Sequence, residues 1–115
     1  MWFSSVLKLA HLVEGRGLVS EERSVMIFRA DDEDGALLRI IELARAREER
    51  HVNGAGEKVR WTVSQIVTLD LIAEGGDLGD REVFSEIVPL TQPDPTVPFT
   101  IAYPLEHAKP YQTGV

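Results

Sequence analysis

The first segment of the chain, from Trp2 to Val13, carries apolar residues at both odd and even positions. In an extended strand, successive side chains point to opposite faces, so both faces of this segment are apolar. Strand-forming sequence resumes at about Arg23 and runs to Ala30, again without clear alternation. Charged residues and two glycines lie between them, at Glu14 to Gly17. We predict a first hairpin whose strands are buried on both sides.

The next segment has the apolar spacing of a helix. Four apolar residues recur three and four positions apart and are predicted to face the sheet: Leu37, Ile40, Ile41 and Ala44. The acidic run Asp31 to Asp34 precedes them and suits an N-cap and a first turn, while arginines follow near the other end. We therefore predict a helix from about Asp32 to Arg50.

The second half reads as another hairpin. Apolar and polar residues alternate from Val59 to Leu71, and Gln65 interrupts the apolar face, which predicts a bulge near Gln65 and Ile66. Glycines between Glu74 and Asp80 indicate a turn, and Glu82 to Val88 returns as a fourth strand.

The predicted fold is α+β with the order ββαββ, a four-stranded sheet covered on one face by the helix. Prolines are frequent from Pro89 onward, which predicts an extended C-terminal arm. We expect one domain over residues 1–90 and the Pro-rich arm over residues 91–115. The arm could add a short strand through residues 99–103 or pack in extended form, and the pattern does not fix the strand order.

Composition narrows the classes of function. The 115 residues include 12 basic and 19 acidic side chains, a net charge of −7, so the surface repels phosphate backbones and nucleic acid is not expected as a partner. The absence of cysteine excludes disulfides and thiolate chemistry. The apolar start lacks the basic region and cleavage site of a signal peptide. We expect a cytoplasmic protein without a membrane partner.

The usual catalytic and metal-binding patterns are not found. Three histidines, His11, His51 and His107, have no metal-ligand spacing, and the acidic run at Asp31 is better explained by helix capping. No serine lies in a nucleophile-elbow pattern, and no lysine lies in a phosphate-binding loop. We therefore predict no catalytic residue, no metal and no cofactor.

One group of residues suggests ligand binding. Trp2, Trp61 and Arg60 together could stack on and hold a planar or anionic ligand, and the predicted ligand-binding residues are Trp61, Arg60 and His51, which lies at the expected helix end. The competing interpretation is core packing of Trp61, because it lies on the apolar face of its strand.

Several short motifs occur in order along the chain, and together they resemble the bacterial domain of unknown function 4288 family over about Trp2 to Val88. They are Trp2-Phe3, Arg29-Ala30-Asp31-Asp32 with Ala36, Asn53 and Gly56 before Val59-Arg60-Trp61, and Glu82 to Ile87. His51 departs from the resemblance, since an aromatic residue is expected there. The resemblance implies a small α+β domain without an assigned activity, and it supplies no catalytic residue.

We expect a non-enzymatic protein-binding or regulatory module that acts as a homodimer. One helix covers only one face of the sheet, so apolar residues on the other face need a cover, and a symmetric partner would supply it. The residues expected to contribute are Trp2, Val6, Met26, Phe28, Phe84 and Val88. The alternative is a small-molecule binder or weak enzyme with a pocket between helix and sheet. A pocket lined by histidines or perturbed acids beside Trp61 would favour it.

Overall fold

A computed structural model describes residues 1–107 of the chain. Its elements are β1 (Trp2–Val13), β2 (Gly17–Arg29), α1 (Glu33–Arg47), β3 (Glu49–Val52), β4 (Lys58–Ala73), β5 (Arg81–Asp94) and a single 3-10 turn (Leu105–His107). The five strands form one sheet in the order β3-β4-β1-β2-β5, with every neighbouring pair antiparallel. The predicted α+β class is confirmed.

The prediction of four strands is wrong, because the sheet has five. The additional strand, β3, takes up residues that the sequence assigns to the end of the helix. The apolar stripe of α1 ends at Ala44. The predicted extension to Arg50 depended on arginines and glutamates, which also occur in strands. The carboxylate of Glu48 accepts hydrogen bonds from the Val63 N–H and the Thr62 hydroxyl of β4. These bonds turn the chain onto the edge of β4.

The start of the helix follows the sequence prediction. Asp32 has extended backbone angles and its Oδ1 accepts a hydrogen bond from the Gly35 N–H at 2.7 Å, which makes it the N-cap. Glu33 and Asp34 follow in the first turn, and Arg45 and Arg47 lie in the last turn. These charges complement the dipole at both ends of α1.

The main core lies between α1 and one face of the sheet, which we call the helix face. Ala36, Ile40 and Ala44 form the buried stripe of α1, whereas Leu37 and Ile41 pack at its margin and are only partly buried. Two alanines allow the helix backbone to approach the sheet closely. The stripe packs against a cluster of sheet residues: Phe3, Leu7, Leu9, Met26, Phe28, Val63, Ile66 and Leu69.

The predicted irregularity in the long strand is confirmed. In the pairing of β1 with β4, Val6 lies opposite Thr68 and Leu7 opposite Ile66, so Val67 is an extra residue. A second shift leaves Ser64 without a counterpart. The bulges therefore flank Gln65 and Ile66, and they keep Ile66 on the helix face, where it is buried.

On the opposite face of the sheet, the open face, residues 1–107 provide a cover at the two ends. At one end the indole N–H of Trp2 donates a hydrogen bond to the Gly76 carbonyl at 2.7 Å, so the loop before β5 covers this side chain. At the other end the segment 95–104 passes over β4, and Arg60 donates hydrogen bonds to the Phe99 and Ile101 carbonyls. Between these ends the open face is partly covered at Val6 and Val25, and most of β5 is exposed.

The segment after β5 contains turns at residues 95–96 and 99–100, and it forms no strand over residues 99–103. It ends in the 3-10 turn, where Leu105 is buried and belongs to the core under α1. The predicted fourth strand corresponds to β5. It extends well beyond the predicted end at Val88 and contains two prolines, as an edge strand permits. Residues 108–115 of the predicted arm lie outside the described residues.

Candidate functional site

A network of polar side chains lies on the helix face beside the C-terminal end of α1. Strand pairing places His11 of β1 directly opposite Ser20 of β2 and Trp61 of β4. The Nδ1 atom of His11 lies 2.8 Å from the Ser20 Oγ, and its Nε2 atom lies 2.9 Å from the Glu22 Oε1. His11 and Glu22 are only 4% and 2% exposed. Two buried polar groups therefore satisfy each other across the β1–β2 pair.

Arg47 connects this pair to the helix. It lies three residues after Ala44, so it continues the buried stripe of α1 and its side chain reaches the sheet. The guanidinium donates to the Glu22 Oε2 at 2.6 Å and to the Glu82 Oε2 at 2.9 Å. The Ser24 hydroxyl donates to the same oxygen of Glu82. One arginine thus bridges β2 and β5 beneath the last turn of the helix.

The electrostatics of the network fix its protonation states. Burial lowers the pKa of His11, although the hydrogen bond and the charge of Glu22 act in the opposite direction. The imidazole is therefore neutral at pH 7, with Nε2–H donating to Glu22 and Nδ1 accepting from the Ser20 hydroxyl. Burial opposes ionisation of Glu82, but hydrogen bonds from Ser24 and Arg47 outweigh it and lower its pKa. The carboxylate of Glu82 is charged.

Trp61 forms the aromatic wall of the network. Its ring stacks on the imidazole of His11 with centroids 4.6 Å apart, and the Arg47 guanidinium lies 5.9 Å from its centroid. The imidazole of His51 meets the Trp61 ring edge-on at 5.3 Å. His51 Nδ1 is 3.0 Å from the Glu49 Oε1 without the geometry of a hydrogen bond. The structure thus brings together Trp61 and His51, two of the three residues predicted to bind a ligand.

The third predicted residue, Arg60, projects to the open face. Strand alternation points it away from Trp61, and its NH1 group donates to the Phe99 carbonyl at 2.9 Å and to the Ile101 carbonyl. Arg60 and Trp61 nevertheless both line a cleft of about 220 Å³ at the start of β3. The other lining residues of this cleft are Glu48, Glu49 and Arg50.

The order Ser20, His11, Glu22 is chemically suggestive, because a hydroxyl, an imidazole and a carboxylate in this order activate serine nucleophiles in hydrolases. Here Arg47 binds the same carboxylate at 2.6 Å and compensates its charge, which weakens its support for a protonated imidazole. The network therefore fits the role of fixing the end of α1 to β1, β2 and β5.

Five members of the network were not singled out by the sequence: Ser20, Glu22, Ser24, Arg47 and Glu82. Two signals point to them in retrospect. His11 interrupts a strand that is apolar on both faces, so its buried ring needs polar partners. Arg47 also has the helical spacing of the buried stripe. The partners on β2 and β5 depend on strand order and register, which the sequence does not give.

A second candidate feature lies on the open face. Val6, Val25 and Phe84 lie directly opposite one another on β1, β2 and β5, and we call them the apolar row. Phe84 is 56% exposed, and Val88, on the same strand, is 53% exposed. The neighbouring row is charged, with Lys8, Arg23 and Glu86 in register. An apolar centre with a charged rim is typical of a protein-binding surface.

Two further findings concern residues 1–107. No helix in this part of the chain is both long and apolar enough to cross a membrane. In the same residues no three histidine, aspartate or glutamate side chains are grouped so that they could hold a metal ion.

The comparisons with known proteins identify a family and nothing more specific. No curated protein and no solved structure matches the chain. One family model, described as a domain of unknown function (DUF4288), matches residues 8–85. The match spans more than half of the chain and includes the polar network from His11 to Glu82. The protein therefore belongs to the DUF4288 family.

Proposed function

We propose that the protein is a non-enzymatic protein-binding module that acts as a homodimer through the open face of its sheet. The observation that carries this proposal is the apolar row, in which Phe84 is exposed although it adjoins Val6 and Val25 in the middle of the face. A second copy related by a two-fold axis would cover this row on both chains at once.

The proposal concerns the face of β5 rather than its free edge. β5 carries Pro89 and Pro93, charged side chains at Glu82 and Glu86, and register shifts in its pairing with β2. Prolines, charges and bulges are the devices by which edge strands avoid pairing with another strand. A partner therefore meets the side chains of the open face, and the two sheets stack.

Three of the six residues predicted to lie in the interface are buried within the chain itself. Met26 and Phe28 belong to the core under α1, and Trp2 is buried by the loop that contains Gly76. These three side chains need no partner. Phe84 and Val88 remain as the exposed members of the set, with Val6 partly buried beside them.

Light scattering at micromolar concentration tests this proposal. We expect the wild-type chain to have twice its mass of 12.8 kDa. Phe84→Ser should shift it to the monomer mass, because the change removes the apolar centre of the interface.

Leu38→Ser is the matched control, because Leu38 is 68% exposed on α1 and lies on the other side of the molecule. We expect this variant to remain a dimer. A wild-type chain that is monomeric throughout the micromolar range, or a Phe84→Ser variant that remains dimeric, would overturn the proposal.

A further inference from the structure

The cleft at the start of β3 plays no part in the homodimer proposal. It measures about 220 Å³ and is lined by Glu48, Glu49, Arg50, Arg60 and Trp61. Drug-sized ligands occupy pockets of roughly 300 to 1,000 Å³, so a cleft of this size fits only a small molecule or a single chemical group.

Two arginines that line this cleft are cross-strand neighbours. Arg50 of β3 and Arg60 of β4 are directly opposite in the antiparallel pairing, where side chains lie about 5 Å apart at Cβ. Two like charges in this position repel each other and destabilise the pair. Among residues 1–107 neither guanidinium forms an ion pair, and Arg60 donates only to the carbonyls of Phe99 and Ile101.

Glu48, one of the two acids of the cleft, is already engaged. The carboxylate of Glu48 accepts from Thr62 and from the backbone of Val63, and its other oxygen lies 3.2 Å from the Arg45 guanidinium. Glu49 lies beside His51 on the helix face. Arg45 also pairs with Glu106, so among residues 1–107 the arginines at the cleft without an ion pair are Arg50 and Arg60.

We propose that this cleft binds a small oxyanion, a phosphate or carboxylate group, between the guanidinium groups of Arg50 and Arg60. A planar guanidinium matches two oxygens of either group, and an anion between the two arginines replaces their repulsion by two attractions. Burial and the charge of Arg50 lower the pKa of Arg60, and the nearby charge of Glu48 only partly offsets them. This inference does not depend on dimerisation.

Titration with inorganic phosphate, and separately with acetate, tests the proposal. Chloride is adjusted to keep the ionic strength constant, and tryptophan fluorescence follows binding because Trp61 lines the cleft. We expect saturable binding of at least one of the two anions by the wild-type chain. The anion that binds more tightly identifies the chemistry of the group.

Variants of the cleft distinguish binding at this site from a nonspecific effect of the anion on the charges of the protein. Arg50→Gln should lower the affinity for the anion roughly tenfold, which is the loss expected when one charged hydrogen-bonding group is removed. Glu49→Gln should raise the affinity for the anion, because the change removes a nearby negative charge. Arg81→Gln is the control, since Arg81 is an exposed arginine at the opposite edge of the sheet. We expect Arg81→Gln to bind like the wild type.

Arg50 is exposed, so Arg50→Gln should fold normally, and circular dichroism with light scattering verifies its fold and mass. No saturable binding of either anion by the wild-type chain would overturn the proposal. Equal effects of Arg50→Gln and Arg81→Gln would do the same. Neither result would bear on the homodimer proposal, which light scattering tests separately.

Discussion

His11 shows how a single polar residue organises one end of this protein. It occupies a strand position that is otherwise apolar, and its ring touches Ser20, Glu22 and Trp61. A buried imidazole that lacked these partners would cost about 1 to 3 kcal/mol for each unsatisfied group. Arg47 gives Glu22 a second partner, so the network is a closed set of hydrogen bonds.

The pH dependence of stability follows from the lowered pKa of His11. Burial, the larger cause, outweighs Glu22, while Arg47 and His51 also oppose a charged ring. The unfolded chain therefore binds a proton more readily than the folded chain at this site. The contribution of neutral His11 to stability is complete above the unfolded-state pKa of 6.5. It is lost as the pH falls from there through the folded-state pKa.

We predict that His11→Gln makes the stability less dependent on pH in this range. The variant should be less stable than the wild type at pH 7.5, since glutamine cannot reproduce both hydrogen bonds of the ring. The difference should narrow toward pH 5, because only the wild type loses the contribution of a neutral His11. Thermal unfolding from pH 7.5 to 5 measures this. Parallel pH profiles for the two chains would contradict it.

At the scale of elements, the turn end of the β1–β2 hairpin packs closely against the backbone at the end of β5. Gly17 begins β2 with φ +82°, in the left-handed region that favours glycine. A Cβ atom on Gly17 would lie 2.1 Å from the Asp94 carbonyl oxygen, a main-chain atom that cannot rotate away. Gly15 in the same turn has φ +84°, but a Cβ atom there would point into open space, with no contact within 4 Å.

These two glycines allow a matched prediction. Gly15→Ala should cost about 1–2 kcal/mol of unfolding free energy, the strain of a left-handed alanine. Gly17→Ala should cost clearly more, because it adds a displacement of β5 to the same strain. Urea denaturation of both variants measures the two costs. Equal costs would show that the end of β5 does not need to pack closely against Gly17.

The elements that the sequence predicts well are those determined by neighbouring residues. The cap at Asp32, the stripe through Ile40 and Ala44, and the bulges beside Gln65 all follow from local spacing. The strand β3 does not, because Glu49–Val52 has no strand pattern of its own and is held by pairing with β4. The polar network is missed for a related reason, since its members come together only through the register of β1, β2 and β5.

At the scale of the whole molecule, the C-terminal segment joins the two faces of the sheet. Arg60 holds its backbone on the open face, and Arg45 of α1 donates to the Tyr103 carbonyl at 3.2 Å and to Glu106 at 3.1 Å. Leu105 then enters the core on the helix face. Among the described residues, β3 pairs only with residues 58–61 of β4, and the 3-10 turn at the end of the segment contacts β4.

We predict that Leu105 contributes to stability like a residue of the central core, although it lies near the end of the described chain. Leu105→Ala should lower the free energy of unfolding by about 2–5 kcal/mol, because the leucine is buried against the cluster that contains Ile40. Leu78→Ala is the control, since Leu78 is an exposed leucine in the loop before β5 and should change stability by no more than about 0.5 kcal/mol.

Urea denaturation of the two leucine variants gives the comparison directly. A loss for Leu105→Ala as small as that for Leu78→Ala would mean that the segment docks without stabilising the fold. The expected large loss would instead mean that docking of the end of this segment under α1 stabilises the fold. In that case the area left for a second copy is limited to the middle of the face, around Val6, Val25 and Phe84.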